Sequence, residues 1–411
     1  MSPDNALSPL APAAFPELPS VPGVELHAHA ANLRYSGRPD LFLAVMPEGT
    51  TVGGVFTKSA CASEPVDWCK QILPTGTARA VVCNAGNANA FTGAAGVASV
   101  QAEVQALSAA LGIAADQIYV ASTGVIGEPL DDQQIVGALG ELVAAGGASW
   151  PHAAQAITTT DTFSKGAFAD VTGAKVSGNV VGIAKGSGMI APNMATMLGF
   201  LFTDVAVTSE ALQLAVSSAT SESFNRITVD SDTSTSDTVL LFATGAAGND
   251  PIDGPGHAAW ADFSAAVFEV CLDLAHQIVR DGEGATKFIE VRVEGAVSDE
   301  SAEIVARSIA DSPLVKTAMA AQDANWGRIV MAVGKAGEPA SRDKLAIWIG
   351  EEHVTVAGKI HPEYSEDRAN QFLQQDEILI RVDLGMGEGS SSIWTCDLTH
   401  GYIEINAGYR S

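Results

Sequence analysis

Two hydrophobic periods run through this chain, and together they limit what it can fold into. Val97, Val100, Val104, Leu107 and Leu111 recur at helical spacing, which predicts a helix with those residues on one face and Gly112 as its end. Phe263, Val267, Val270, Leu274 and Ile278 predict a second such helix over about 261–279. Further on the period changes. Ile289, Val291 and Val293 alternate with Glu290, Arg292 and Glu294, and Ile378, Ile380, Val382 and Leu384 alternate with more polar neighbours, as half-buried strands do. No regular βαβ rhythm and no internal repeat links the two kinds of element. The fold class this predicts is α+β, with mixed or antiparallel sheets layered with helices.

Shorter signals fill in the rest. "RPDLFLAVM", "TTVGGVFT" and "ARAVVCNAG" read as strands, the last ending in an Asn/Gly-rich loop. "QIYVASTGVIG" reads as a strand that gives way to a Ser-Thr-Gly turn. "DQQIVGALGELVAAG" and residues 209–219 read as helices, "AFADVTG" and "GNVVGIAKGSG" as strands, and "LAIWIGEEHVTVAG" as a hairpin. Six of the 18 prolines fall within the first 22 residues, so residues 1–23 are expected to form a proline-rich extended arm that is not packed.

Composition narrows the function. Acidic residues outnumber basic ones 48 to 22, for a formal net charge of -26. That disfavours nucleic acid and anionic membranes as partners, and favours solubility. The five cysteines (Cys61, Cys69, Cys83, Cys271, Cys396) match no zinc or redox spacing, so reduced structural thiols are expected. The N-terminus lacks a basic region followed by an apolar one, and there is no run of about 18 apolar residues. A cytoplasmic protein is the expectation.

Among candidate sites, His27-x-His29 could begin a zinc amidohydrolase site, because alternate strand residues point the same way. The other histidines show no ligand spacing, and a packed or solvated pair is the simpler reading. No Walker loop, G-x-S-x-G elbow or H-E-x-x-H is present. The stretch "KGSGMIAPNMATMLGFLFTD" (185–204) offers different chemistry. A Gly/Pro-rich turn runs into Thr196 and then into the apolar run "MLGFLFT", which reads as a buried strand with Thr196 at its start. A strained turn there could drive the Thr196 hydroxyl onto the Ala195 carbonyl. The cut would leave Thr196 with a free α-amine able to act as base for its own hydroxyl. On the residues alone, an ordinary threonine at a strand start is the simpler reading.

That stretch resembles the self-cleaving segment of the ornithine acetyltransferase family, which catalyses glutamate N-acetylation in arginine biosynthesis. "VCNAGNANAFTG", "ASTGVIG", "TTDTFSK", "VDSDTSTSD", "RDGEGATKF", "DANWGRI" and "YIEINAGYRS" are similar to further family signatures, in the family's order from about residue 24 to Ser411. The resemblance implies a self-processing, N-terminal-nucleophile-like fold. It also implies an acyltransferase that moves acetyl from N2-acetylornithine to glutamate through an acetyl-Thr196 ester. Cleavage between Ala195 and Thr196 would give an α chain (residues 24–195 after the arm) and a β chain (196–411). These would assemble as an α2β2 heterotetramer.

The same resemblance assigns Thr123 and Gly124 to the oxyanion hole. It assigns Thr159 (or Thr160, within three consecutive threonines), Lys185, Thr196, Glu283, Asn406 and Ser411 to substrate binding. It implies no metal and no organic cofactor, although acetyl-CoA serves some family members as an alternative donor. Three positions depart from the family pattern. Ser411 stands where threonine is common, Ala324 where a proline is usual before Asn-Trp-Gly-Arg, and Ser231 where glycine is frequent. Asn-Trp-Gly-Arg itself reads as structural. The rival readings are a self-processed aminopeptidase or amidase of the same architecture, the zinc amidohydrolase on His27 and His29, and a non-enzymatic binding protein.

Overall fold

The apolar runs of the first 250 residues that read as strands lie in two stacked sheets in the computed structural model, which describes residues 6–173, 176–191 and 197–408. The chain divides into two units. The first comprises residues 12–225 and 232–278; the second comprises 279–408, 226–231 and the start of the chain up to Ala11.

The first unit contains β1 (Glu25–His29), β2 (Leu41–Val45), β3 (Thr51–Phe56), β4 (Ala80–Asn87), β5 (Ile118–Val125), β6 (Lys165–Gly173), β7 (Val176–Lys185), β8 (Leu198–Thr203) and β9 (Thr238–Ala243). One sheet has the order β1-β2-β4-β5, with only β4 and β5 parallel. The other has the order β3-β9-β8-β7-β6, with only β8 and β9 parallel. β2 and β3 follow each other in the chain yet lie in different sheets.

Period-two alternation explains why β2 is apolar throughout. Phe42 and Ala44 point into a core shared with Phe200, Phe202 and Phe242 of the second sheet. Leu41 and Leu43 point the other way, onto the helices Gly93–Leu111 and Asp132–Ala144. A side chain such as Phe42, wholly buried, stabilises the stack by roughly 1.5–3 kcal/mol. Phe42 and Phe200 meet at 5.5 Å and Tyr119 and Phe242 at 6.0 Å, in tilted and edge-on geometries. On the far side of the second sheet, Val270 and Leu274 of the helix Trp260–Arg280 fill the space above Gly182 of β7. The unit is thus four layers deep: helices, sheet, sheet, helices.

The second unit holds one mixed sheet. β10 (Phe288–Ala296), β11 (Ala346–Ile349), β12 (Glu352–Val356), β13 (Lys359–Ile360), β14 (Glu377–Asp383) and β15 (Gly389–Cys396) take the order β13-β12-β11-β14-β10-β15. Only β10 and β14 are parallel. Ile289, Val291, Val293, Ile378, Ile380 and Val382 form its buried face with residues of the helices Asp299–Ala310, Pro313–Ala320 and Trp326–Lys335. The α+β expectation holds in both units.

Four expectations change in detail. Val97 is 43% exposed, because the buried face of its helix runs through Gly96, Val100, Glu103, Val104 and Leu107. The neighbours there, Asn89 and Thr92, leave room for glycine alone at Gly96. Ser-Thr-Gly is not a turn: β5 continues through Val125. The strand after Thr196 begins at Leu198. The proline-rich segment has no helix or strand over residues 6–23, but it is packed. Val21 is buried in the first unit's core, Phe15 and Leu18 lie against that core, and Pro19 O accepts the Trp150 indole N–H at 2.9 Å.

Two of the family departures have visible consequences. Ala324 donates its backbone N–H to Asn370 Oδ1 at 2.9 Å, a bond that proline could not make. Ser231 has φ +62°, the left-handed region that a side chain disfavours by about 1 kcal/mol or more. Ser231→Gly is therefore expected to raise stability by up to about 1 kcal/mol in urea unfolding. A loss of stability would show that the Ser231 hydroxyl, which donates to Asp230 O at 2.5 Å, outweighs the backbone strain.

Candidate active site

β7 ends on Lys185, and its last six residues are all buried. A lysine in that position must find polar partners. Its Nζ donates to Thr159 Oγ1 at 2.8 Å and to Thr123 Oγ1 at 3.2 Å. Three residues singled out in the sequence, Thr123, Thr159 and Lys185, thus meet at one ammonium group. Thr123 comes from β5, and Thr159 from the turn after the helix Trp150–Ala156.

Asp161 organises the cluster. Its side chain is fully buried. Its Oδ1 accepts the Lys165 ammonium at 2.7 Å and the Gly186 N–H at 2.7 Å; its Oδ2 accepts the Thr159 N–H at 2.9 Å and lies 3.8 Å from Lys185 Nζ. Burial alone would raise its pKa. The charges of Lys165 and Lys185 outweigh that and hold the carboxyl below the usual carboxylate range. Asp161 therefore stays ionised and fixes both the Thr159 backbone and the residue after Lys185. In the sequence its motif, "TTDTFSK", does not reveal that role. The available signal was its four-residue spacing from Lys165 in a chain with only 17% charged residues.

Gly124 shows why the next position is glycine. Its φ is +134°, and a Cβ there would lie 2.3 Å from Gly86 C and 2.5 Å from Gly86 O on β4. The β4–β5 ladder is irregular here, with Asn87 opposite both Thr123 and Val125. Such a bulge bends a strand and re-aims its groups. An oxyanion site needs N–H groups turned out of the ladder.

Behind this strand, on the helix Gly93–Leu111, Glu103 is 2% exposed. Burial, and to a smaller extent the charge of Asp132, push its carboxyl up to about 8. The folded state therefore binds this proton more tightly than the unfolded chain does. The resulting stability is complete below the ordinary glutamate pKa and is lost as pH rises toward about 8. Glu103→Gln is expected to flatten the fall in unfolding free energy across that window, an effect on the order of a few kcal/mol measured by urea titrations at several pH values. An unchanged pH slope would contradict this.

In the second unit, Glu283 is buried, and Asn406 Nδ2 donates to its Oε2 at 2.6 Å. Gly284 (φ +74°) lets the loop press onto the helix His400–Ala407: a Cβ there would sit 2.5 Å from Tyr402 N. Asp397 accepts the Thr286 N–H, the Thr286 hydroxyl and the Lys287 N–H, and Thr399 donates to Gly284 O at 2.6 Å. The "DGEGATKF" motif thus forms a fastened loop that presents Glu283. Arg328 of Asn-Trp-Gly-Arg donates to Leu314 O at 2.6 Å and to Thr317 Oγ1, tying two helices together as a structural residue does.

The remaining sequence candidates divide in two. Ala195, Thr196 and Ser411 lie outside the described residues. His27 and His29 lie on β1, 3.6 Å from Glu25 and 3.3 Å from Glu141, respectively. Among the described residues, no three His, Cys, Asp or Glu side chains gather to hold a metal ion. No helix among them is long and apolar enough to cross a membrane. All five cysteines are free thiols, and four of them are buried.

A buried lysine shared by two threonine hydroxyls thus lies beside a glycine that close strand packing requires. The chain belongs to the ArgJ family, whose profile matches residues 25–411. It is 53% identical over 405 residues to the arginine biosynthesis bifunctional protein ArgJ of Zymomonas mobilis, spanning 98% of this chain and 99% of that one. It is 51% identical over 410 residues to the protein of the same name from Brucella suis, with 99% of each chain covered. A crystal structure of the arginine biosynthesis bifunctional protein ArgJ from Bacillus halodurans matches at 46% identity with a TM-score of 0.49, over 51% of this chain and 98% of that one. The chain is an acetyltransferase of arginine biosynthesis.

Proposed function

We propose that the chain is a glutamate N-acetyltransferase that carries the acetyl group of N2-acetylornithine on Thr196. The reading rests above all on one observation: Lys185, at the end of the strand that leads toward Thr196, joins the hydroxyls of Thr123 and Thr159 through its Nζ. Processing comes first. Thr196 Oγ attacks the Ala195 carbonyl, the Ala195–Thr196 C–N bond breaks, and the nitrogen takes the hydroxyl proton. Water then hydrolyses the ester, leaving a carboxylate on Ala195 and a free α-amine and hydroxyl on Thr196. The α chain, ending at Ala195, and the β chain, 196–411, remain together as an α2β2 assembly.

In turnover the Thr196 α-amine accepts the Oγ proton as Oγ attacks the acetyl carbonyl. Thr123 and Gly124 stabilise the oxyanion, the amide C–N bond breaks, and the proton passes to the leaving amine of ornithine. The amine of glutamate then attacks the ester, Oγ recovers a proton, and N-acetylglutamate leaves. Glu283, held by Asn406, is the acidic partner for the substrate ammonium group. Ser411 supplies a hydroxyl in place of the family's threonine. The covalent ester carries the acetyl group, so the reaction needs no metal or organic cofactor; acetyl-CoA is the alternative donor to test.

Family membership does not favour the aminopeptidase or zinc amidohydrolase readings. Supplying N-acetylornithine with and without glutamate separates them from acetyl transfer. Ornithine release that requires glutamate, with stoichiometric N-acetylglutamate, is expected. Hydrolysis indifferent to glutamate would sink the reading.

A further inference from the structure

Residues 233–238 of the first unit hold both ends of the stretch that carries Thr196. Upstream, the Thr233 hydroxyl donates to Ala191 O at 3.1 Å. Downstream, Asp237 Oδ1 accepts the Met197 N–H at 2.9 Å, and the Thr238 N–H donates to Met197 O at 3.1 Å. Met197 N is the amide nitrogen bonded to the Thr196 carbonyl carbon, so Asp237 grips the peptide unit that bears the nucleophile. Asp237 is itself pinned, because its carbonyl accepts the Thr57 N–H at 3.0 Å.

This is a costly way to anchor a strand start. The Asp237 side chain is 2% exposed, and its Oδ2 makes no hydrogen bond among the described residues. Leaving a carboxyl oxygen in that state sacrifices stability. Burial pushes the carboxyl well above its ordinary range, against the pull of the Met197 amide, the Thr57 hydroxyl and the Lys185 charge, and so favours the neutral acid. Asparagine has the same shape and the same acceptor.

We propose that Asp237 is a positioning residue of the acyl-transfer site. It fixes the Thr196–Met197 peptide and thereby aims the Thr196 hydroxyl, first at the Ala195 carbonyl during self-cleavage and then at the acetyl group. The inference rests on the reading of Thr196 given above. A nucleophile displaced by about 1 Å forfeits on the order of 100-fold in rate, while substrate affinity is set by other groups.

The test follows the full-length chain after synthesis, with wild type and Thr196→Ala alongside. Asp237→Ala is expected to slow the appearance of the fragment beginning at Thr196 at least about 10-fold. The matured enzyme should lose kcat by a similar factor, with KM for N-acetylornithine within about 2-fold. Asp237→Asn should bring both rates back to within about 3-fold of wild type. If Asp237→Ala fails to fold, Asp237→Ser takes its place; it is polar but too short to reach the Met197 N–H. Wild-type processing and turnover in the alanine or serine variant would overturn the proposal. So would an asparagine variant as impaired as alanine, or a loss carried by KM. A wild-type chain that is not cleaved would instead defeat the Thr196 reading, so the two failures are distinct.

Discussion

Thr196→Ala is expected to leave one uncleaved chain with no measurable acetyl transfer. Two functions vanish with one oxygen atom. Without Oγ there is no attack on the Ala195 carbonyl, so no new N-terminus forms. Without that N-terminus there is neither the α-amine base nor the hydroxyl that forms the ester. Residues that act as a unit lose nearly everything when one is removed, and a fall of at least about 1000-fold in kcat is the expected scale. Thr196→Ser keeps the hydroxyl and should still process itself and turn over, more slowly. Gel analysis with coupled assays of ornithine release reads both effects. A cleaved or active alanine variant would contradict the assignment.

Asp161→Ala should produce the second-largest effect, this time on stability and activity together. The variant removes the carboxylate that buried Lys165 and Lys185 share, along with the acceptor for the Thr159 and Gly186 N–H groups. Breaking a buried charge pair from one side typically costs about 3–5 kcal/mol. Lys185 would also lose the group that fixes its neighbours, so the Thr123 and Thr159 hydroxyls would no longer converge on one ammonium. Denaturant unfolding by circular dichroism should show the stability loss, and the surviving folded protein should process and turn over poorly. A stability change below about 1 kcal/mol would show that Asp161 is not what neutralises the two lysines. The sign with pH also follows. Because the folded-state pKa of Asp161 is depressed, its contribution is present above the ordinary aspartate pKa and is lost as the solution is acidified below it.

How much of this was legible in the sequence depends on what kind of signal each feature carries. The helix ending at Gly112 and the alternation in β10 and β14 are local, and both appear where their periods place them. Sheet membership is not local. Nothing in "RPDLFLAVM" or "TTVGGVFT" says that β2 and β3 go to different sheets, because both faces of each sheet are covered and the strands read as plain apolar runs. Ser122-Thr123-Gly124 looked like a turn because Gly and Ser usually mark one. The bulge opposite Gly86 and Asn87 keeps it in the strand. The packed state of the proline-rich segment depends on Trp150 and the core beneath it, which are distant in sequence. Thr123, Thr159, Lys185, Glu283 and Asn406 were found through motif resemblance. Asp161 and Asp237 are distinguished only by burial and the groups they hold, which the fold alone reveals.

The most direct measurement is mass analysis and N-terminal sequencing of the purified protein, before and after incubation with N-acetylornithine in the absence of glutamate. Two chains are expected, one ending at Ala195 and the other beginning at Thr196, with a single acetyl group gained on Thr196 and lost again when glutamate is added. An intact, fully active chain, or an acetyl group carried on any other residue, would contradict that expectation.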